Sequence, residues 1–161
     1  MIVKEKLDKK ISTIFKSGSV KTVNLRTRSA VTYSEFLSDK MMIIGLIREG
    51  VPYSLFSLIK EAAPFSEVDW AEFLNVSTKT LERYKKTLKP FKPLQSEKII
   101  EMAEVTNLGK EVFGGGEKFR LWLETPNFAL GNMKPMELLK DSYGKEMVMG
   151  ELTRINHGVL V

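Results

Sequence analysis

Apolar residues recur at three- and four-residue steps over most of the chain, and this period is typical of helices that bury one face. The clearest run is SEFLSDKMMIIGLIREG. It predicts one helix with Ser34 as its N-cap, a buried face that includes Phe36, Met41 and Ile44, and Gly50 as its end. A weaker helical pattern covers residues 1–18.

The same reading predicts a succession of further short helices. Pro52 is a favourable first-turn residue for the next one, and Ser96 is the expected start of a long one. Phe119, Trp122 and Leu123 recur at helical spacing before a stop at Thr125-Pro126. The other predicted ranges are 52–64, 66–74, 78–88, 96–113, 135–141 and 144–157, the last with Val148, Leu152 and Ile155 on its inner face.

Two stretches depart from the helical pattern. Residues 19–31 are rich in Val and Thr and have no helical period, which predicts a short extended or β segment that is either a basic arm or a local strand pairing. The run from Lys89 to Pro93 predicts a stiff connector and a domain boundary. The fold class predicted is therefore mostly α, divided into residues 1–33, 34–95 and 96–161.

The glycine triplet in FGGGEK raises the question of a phosphate loop. It lacks the GK[ST] ending and the preceding strand that such a loop requires. Because it follows a predicted helix, Gly114 is better explained as a helix C-cap, and the triplet as a tight link into the next helix.

Composition excludes several classes of protein. The 161 residues include no cysteine, which removes disulfides, thiolate metal sites and thiol nucleophiles. No apolar run is long enough to cross a membrane, and charges near the N-terminus do not fit a signal peptide, so we expect a cytoplasmic protein. His157 is the single histidine, and no nucleotide fingerprint or catalytic triad motif is present. We expect no enzyme activity, no metal and no cofactor.

Charge is unevenly distributed along the chain. The net charge is +5; residues 1–40 hold nine basic and four acidic side chains, whereas residues 97–161 hold eight and ten. This asymmetry indicates a polyanionic partner for the first part and a different partner for the second, or simply two differently charged solvated surfaces.

The run FSEVDWAEFLNVSTKTLERYKK fits a helix-turn-helix. Ala71 is small where two helices cross, and Asn75 stands in the turn, where a residue must accept left-handed geometry. The alternative is a plain helical hairpin with a basic solvated face. The side chains expected to contact bases and phosphates are Ser77, Thr78, Lys79, Thr80, Arg83 and Lys86.

The region from residue 97 to 161 resembles the Xre/MbcA/ParS antitoxins, which pair an Xre-like helix-turn-helix with a C-terminal toxin-binding domain. The resemblance rests on ordered residues and is looser over residues 44–95. Asn132 and Glu82 depart from the family's pattern, at a usual second glycine and at a usual arginine. The matching positions are Trp122-Leu123, Pro126, Leu130-Gly131, Pro135, Leu138-Leu139, Gly144, Val148, Leu152, Arg154-Ile155 and Gly158-Val159.

This resemblance implies an antitoxin that covers the active site of a RES-domain, NAD-degrading toxin and represses its own operon as a homodimer on operator DNA. Residues 34–95 are then the helix-turn-helix domain and 96–161 the toxin-binding domain, whereas residues 1–33 match no part of the family pattern and are predicted as a basic N-terminal extension. Arg154 and the terminal carboxylate are expected polar anchors. The residues implied in toxin binding are Arg154, Asn156, His157, Gly158, Val159, Leu160 and Val161.

Three alternatives remain open from the sequence. The tail after Gly158 could pack on its own domain. The chain could be a stand-alone transcriptional regulator whose C-terminal domain only dimerises, or an interaction adaptor that has lost DNA binding.

Overall fold

In the computed structural model, residues 2–18, 20 and 30–158 are described. Within these ranges the chain forms ten α-helices and one 3₁₀ turn, Phe128–Leu130, and no strand, so the mostly α prediction is confirmed. Most of the predicted extended segment, residues 19 and 21–29, lies outside the described residues. The helices are α1 Ile2–Lys16, α2 Tyr33–Ser38, α3 Lys40–Glu49, α4 Tyr53–Ala62, α5 Glu67–Leu74, α6 Thr78–Thr87, α7 Pro93–Phe113, α8 Gly116–Leu123, α9 Pro135–Leu138 and α10 Ser142–Asn156.

The chain divides into two compact units that interleave along the sequence. The first unit holds residues 1–62 and 78–100, and the second holds residues 63–77 and 101–161. This division reflects contacts within each unit, and the domain ranges 1–33, 34–95 and 96–161 stay a prediction. No helix in the described ranges is both long and apolar enough to span a membrane.

In the first unit, the single helix predicted from Ser34 is wrong, because the chain breaks at Asp39. Thr32, not Ser34, caps α2 in a capping box with Glu35, and the Asp39 carboxylate caps α3 by accepting from the Met41 and Met42 amides. The break shifts the helical phase. Met42 and Leu46 are consequently buried, while the predicted inward residues Met41 and Ile44 are exposed.

Aromatic packing and one buried serine organise the rest of this unit. The Phe91 ring stacks on Tyr84 with a centroid distance of 4.4 Å and meets Phe56 edge-on at 5.0 Å. Residues 89–93, predicted as a connector, therefore include a core side chain. Ser96 was predicted to start α7, but α7 begins at Pro93 and Ser96 is fully buried.

The second unit is built on the C-terminal part of α7. Its buried residues on α7 include Met102, Ala103 and Val105, and those on α8 are Phe119 and Leu123. The glycine link behaves as predicted. Gly114 has φ 71° and follows the last residue of α7, and α8 starts two residues later. This turn leads the chain from α7 into α8, whose rings Phe119 and Trp122 lie next to Phe113.

Candidate functional site

The turn that precedes α6 has the geometry expected of a helix-turn-helix turn. Ser66 opens α5 through a capping box with Asp69, and Asn75 ends it in the left-handed conformation, with φ 53° and ψ 47°. The Val76 amide donates to the Ala71 carbonyl at 3.0 Å, which closes this end of the helix. Asparagine tolerates positive φ better than other side chains, so the prediction made for Asn75 is confirmed.

One face of α6 is held against its own unit, and this fixes which residues point to solvent. Leu81 is buried, and the half-buried Tyr84 stacks on Phe91 and donates from its hydroxyl to Gln95 Oε1 at 3.1 Å. Lys79, Arg83 and Lys86, at i, i+4 and i+7, therefore form an exposed cationic stripe. None of these three has an ion-pair partner within the described ranges.

The remaining predicted DNA-binding residues lie at the start of the same helix. Ser77 and Thr78 are exposed, whereas Thr80 is half-buried. The six predicted residues thus occupy one continuous segment, 77–86. Its charge and exposure suit phosphate contacts from lysine and a guanine-type contact from arginine.

The second candidate segment is the end of α10, which is anchored at its base. Asp141 caps the helix by accepting from the Gly144 amide at 2.7 Å, and Gly144 lies so close to the Leu138 carbonyl that a Cβ would overlap it. Val148 and Leu152 are fully buried. Lys145 Nζ also bonds Glu104 Oε1 of α7 at 3.2 Å.

The tip of α10 is open to solvent, in contrast to its base. Asn156, His157 and Gly158 are exposed, and Gly158 ends the helix with φ 69° while its amide donates to the Ile155 carbonyl at 3.0 Å. Arg154 is half-buried and donates to Glu151 Oε2 at 3.1 Å. Ile155, predicted to face inward, is 36% exposed. Val159, Leu160 and Val161 lie outside the described residues.

One charged cluster of the second unit, around Arg120, is structural. Arg120 of α8 donates to Asp69 at 2.6 Å, to Glu124 at 2.8 Å and to the Pro64 carbonyl at 2.8 Å. Partial burial alone raises the pKa of Asp69, but hydrogen bonds from Arg120 and Ser66 outweigh it and hold that pKa below its usual value. The hydrogen bond to Asp69 raises the pKa of Arg120. This cluster ties α8 to α5.

The described residues contain no group of three or more histidine, aspartate or glutamate side chains that could hold a metal ion. Tyr143 and Met147 of α10 are exposed, and neither was among the residues predicted from the sequence to bind a partner. Their spacing of four residues was a readable signal. The prediction for this helix was instead based on Val148 and Leu152, which lie on its opposite, buried face.

Two family models match the chain. Residues 42–104 match the antitoxin Xre-like helix-turn-helix domain, and residues 108–158 match the antitoxin Xre/MbcA/ParS C-terminal toxin-binding domain. A protein named Antitoxin Xre from Yersinia enterocolitica is 25% identical over 119 residues, which are 73% of this chain and 80% of the relative. Another of the same name from Photorhabdus laumondii is 23% identical over 117 residues, 72% of this chain and 79% of the relative.

Proposed function

This chain belongs to the Xre/MbcA/ParS antitoxin family, and on that basis we propose that it neutralises a RES-domain, NAD-degrading toxin by covering the toxin's active site with its C-terminal segment. In the same proposal, α6 binds operator DNA and represses the operon, and the chain acts as a homodimer. The chain makes and breaks no bonds in this mechanism. Its effect is steric.

The match of residues 108–158 to a toxin-binding domain, on a segment whose tip is exposed, carries the proposal. A plug requires a rigid base and an accessible end. α10 has both features, since Val148 and Leu152 hold its base while Asn156, His157 and Gly158 are exposed. We assign Arg154, Asn156, His157 and Gly158, with Val159, Leu160 and Val161, to the toxin contact.

The chemistry of these side chains suits an enzyme cleft. Arg154 already bonds one carboxylate, but its side chain is 41% exposed, so its remaining guanidinium donors are available to a partner. Asn156 offers an amide and His157 an imidazole on the same turn. Residues 159–161 are apolar, and burying their side chains in the cleft would stabilise the complex by removing apolar surface from water.

For DNA, we assign Ser77, Thr78, Lys79, Thr80, Arg83 and Lys86 to the operator contact. The exposed stripe of Lys79, Arg83 and Lys86 supports this assignment. A homodimer is proposed because a single recognition helix makes few base contacts, and two-fold operators are read by paired helices.

The plug is tested by ending the chain after His157, which removes residues 158–161. We expect this variant to fold and to bind operator DNA like the full chain, but to lose protection of cells that co-express the toxin encoded by the adjacent gene. The control is Arg83→Ala/Lys86→Ala, which leaves residues 158–161 in place and should still protect. Full protection by the truncated chain would contradict the plug.

Binding and activity assays with the purified proteins separate this proposal from a stand-alone regulator. A regulator without a toxin predicts that the full chain neither binds the RES-domain protein in a purified mixture nor slows its NAD degradation. Binding without any loss of NAD degradation would support a toxin partner but would rule out occlusion.

A further inference from the structure

Gly150 lies in the interior of α10, where glycine is the least favourable residue apart from proline. Its neighbours within the chain do not require it. A Cβ built at Gly150 meets no atom within 4 Å, whereas one at Gly109 overlaps the Phe119 ring and one at Gly144 overlaps the Leu138 carbonyl. Gly150 also keeps ordinary helical backbone geometry, with no positive φ.

The position of Gly150 on the helix is informative. Tyr143, Met147, Gly150 and Arg154 follow the i, i+4, i+7, i+11 spacing of a single helix face. Tyr143 is 84% exposed and Met147 is 49% exposed. The face therefore consists of an aromatic ring, a flexible apolar side chain, a notch at Gly150 and a cation. We call these four residues the outer face of α10.

This face is presented by a rigid support. The opposite side of α10 buries Val148 and Leu152, and the Lys145–Glu104 bond at 3.2 Å adds a polar tie to α7. A fixed helix loses little conformational freedom when it docks, which favours its use as a binding surface. Aromatic residues, methionine and arginine are also the side chains enriched at protein interfaces.

We infer that the outer face of α10 is a docking surface for the toxin, in which a segment of the toxin packs directly on the helix backbone at Gly150. Tyr143 and Met147 then flank that segment with apolar contact, and Arg154 meets a carboxylate of the toxin at its end. The inference rests on the proposed function, and it extends the contact from the tip of the helix along about three turns of α10.

Continuity identifies the toxin as the occupant. The outer face ends at Arg154 and is continued on the same side of the helix by His157, and both of these residues belong to the proposed plug. All four residues of the face lie within residues 108–158, the segment that matches a toxin-binding domain. A protein that receives the tip of α10 is thereby placed next to this face.

The test measures the affinity of purified full-length chain for the RES-domain protein encoded by the adjacent gene, together with thermal unfolding and oligomeric state. In Gly150→Gln, a good helix former fills the notch with a polar side chain. We expect the melting temperature to rise by about 2–4 °C and the Kd for the toxin to rise at least about tenfold. Tyr143→Ala should weaken toxin binding by a similar factor without unfolding the chain.

The matched control is Gly116→Gln, a glycine that also has open space around its Cβ position but starts α8. Its toxin affinity should equal that of the unmodified chain. The chain ended after His157 should still bind the toxin measurably while failing to block NAD degradation, and Gly150→Gln should weaken that residual binding further.

Each alternative result has a distinct meaning. If the unmodified chain does not bind the RES-domain protein, the proposed function fails and this inference fails with it. If it binds and blocks, but Gly150→Gln and Tyr143→Ala bind equally well, only the docking surface is overturned. If these variants instead dissociate a homodimer while toxin affinity is unchanged, the occupant is a second copy of the chain, which also overturns the inference.

Discussion

At the scale of single residues, a buried polar side chain can make hydrogen bonds that its neighbours in sequence do not predict. Ser96 Oγ accepts from the Val51 amide at 2.8 Å and donates to the Phe91 carbonyl at 3.2 Å, and all of this is buried. A serine before an apolar run is usually an N-cap, and that expectation failed here because α7 had already begun at Pro93. The hydroxyl instead ties two segments that are far apart in sequence.

We predict that Ser96→Ala lowers the free energy of unfolding by about 1–3 kcal/mol, because the buried Val51 amide loses its acceptor. Urea denaturation followed by far-ultraviolet circular dichroism measures this change. Ser57→Ala, at an exposed position of α4, serves as the control and should leave stability nearly unchanged. Equal stability of Ser96→Ala and the unmodified chain would contradict the role given to this hydroxyl.

At the scale of elements, close approach between helices depends on small residues in the right places. Phe119 of α8 is fully buried and its ring lies directly over Gly109 of α7, where no Cβ fits. The turn at Gly114 brings α8 back along α7, and the Arg120–Asp69 ion pair at 2.6 Å fixes α8 to α5 as well. In the second unit, the space at Gly109 and the Arg120–Asp69 ion pair therefore both contribute to holding α8 in place.

Gly109→Ala is expected to destabilise the chain by about 1–3 kcal/mol, although alanine is the better helix former, because the added methyl group forces the Phe119 ring from its site. Thermal unfolding measures the loss. Gly116→Ala is the matched control, since its Cβ position is open, and its melting temperature should not fall. A rise in stability for Gly109→Ala would show that Phe119 can move aside at no cost.

At the scale of the whole molecule, charge and exposure assign the two proposed partners to different parts of the chain. The basic side chains of α6 are exposed and unpaired within the described ranges, while several charges of the second unit are already bonded, among them Arg120, Lys140 and Lys145. A cation without an ion-pair partner can bind phosphate without first breaking an existing ion pair. This distribution favours α6 for DNA.

We expect Arg83→Ala/Lys86→Ala to weaken operator binding. It should also reduce the steepness of log K against log salt concentration by about 1–2, because binding releases about one counterion fewer for each phosphate contact that is lost. Fluorescence anisotropy across a salt series measures both quantities. Lys118→Ala/Lys134→Ala removes the same net charge from exposed positions of the second unit and should leave the slope unchanged. Equal slopes for the two double variants would move the DNA contact away from α6.

Local chemistry along the chain was sufficient to predict most of the helices, the left-handed residue at Asn75, the C-cap at Gly114 and the family resemblance. The family resemblance rests on ordered residues across residues 97–161, but the other features depend on residues within a few positions of each other, so their physical cause is contained in a short stretch of sequence. The break at Asp39 is also local, but the apolar run across it concealed the capping role of that aspartate. Because the helix breaks at Asp39, the buried positions that follow it are Met42 and Leu46 and not the predicted Met41 and Ile44.

Only the tertiary structure decided the roles of Ser96, Gly109 and Gly150, because each depends on what lies across from it and not on what precedes it. Val51 and Phe119 are brought to Ser96 and Gly109 by folding, whereas Gly150 is left with open space. A helix with apolar residues on two sides can bury either one. The sequence already predicted Val148 and Leu152 on the inner face of α10, whereas only the structure showed that Ile155 is partly exposed and that Tyr143 and Met147 face solvent.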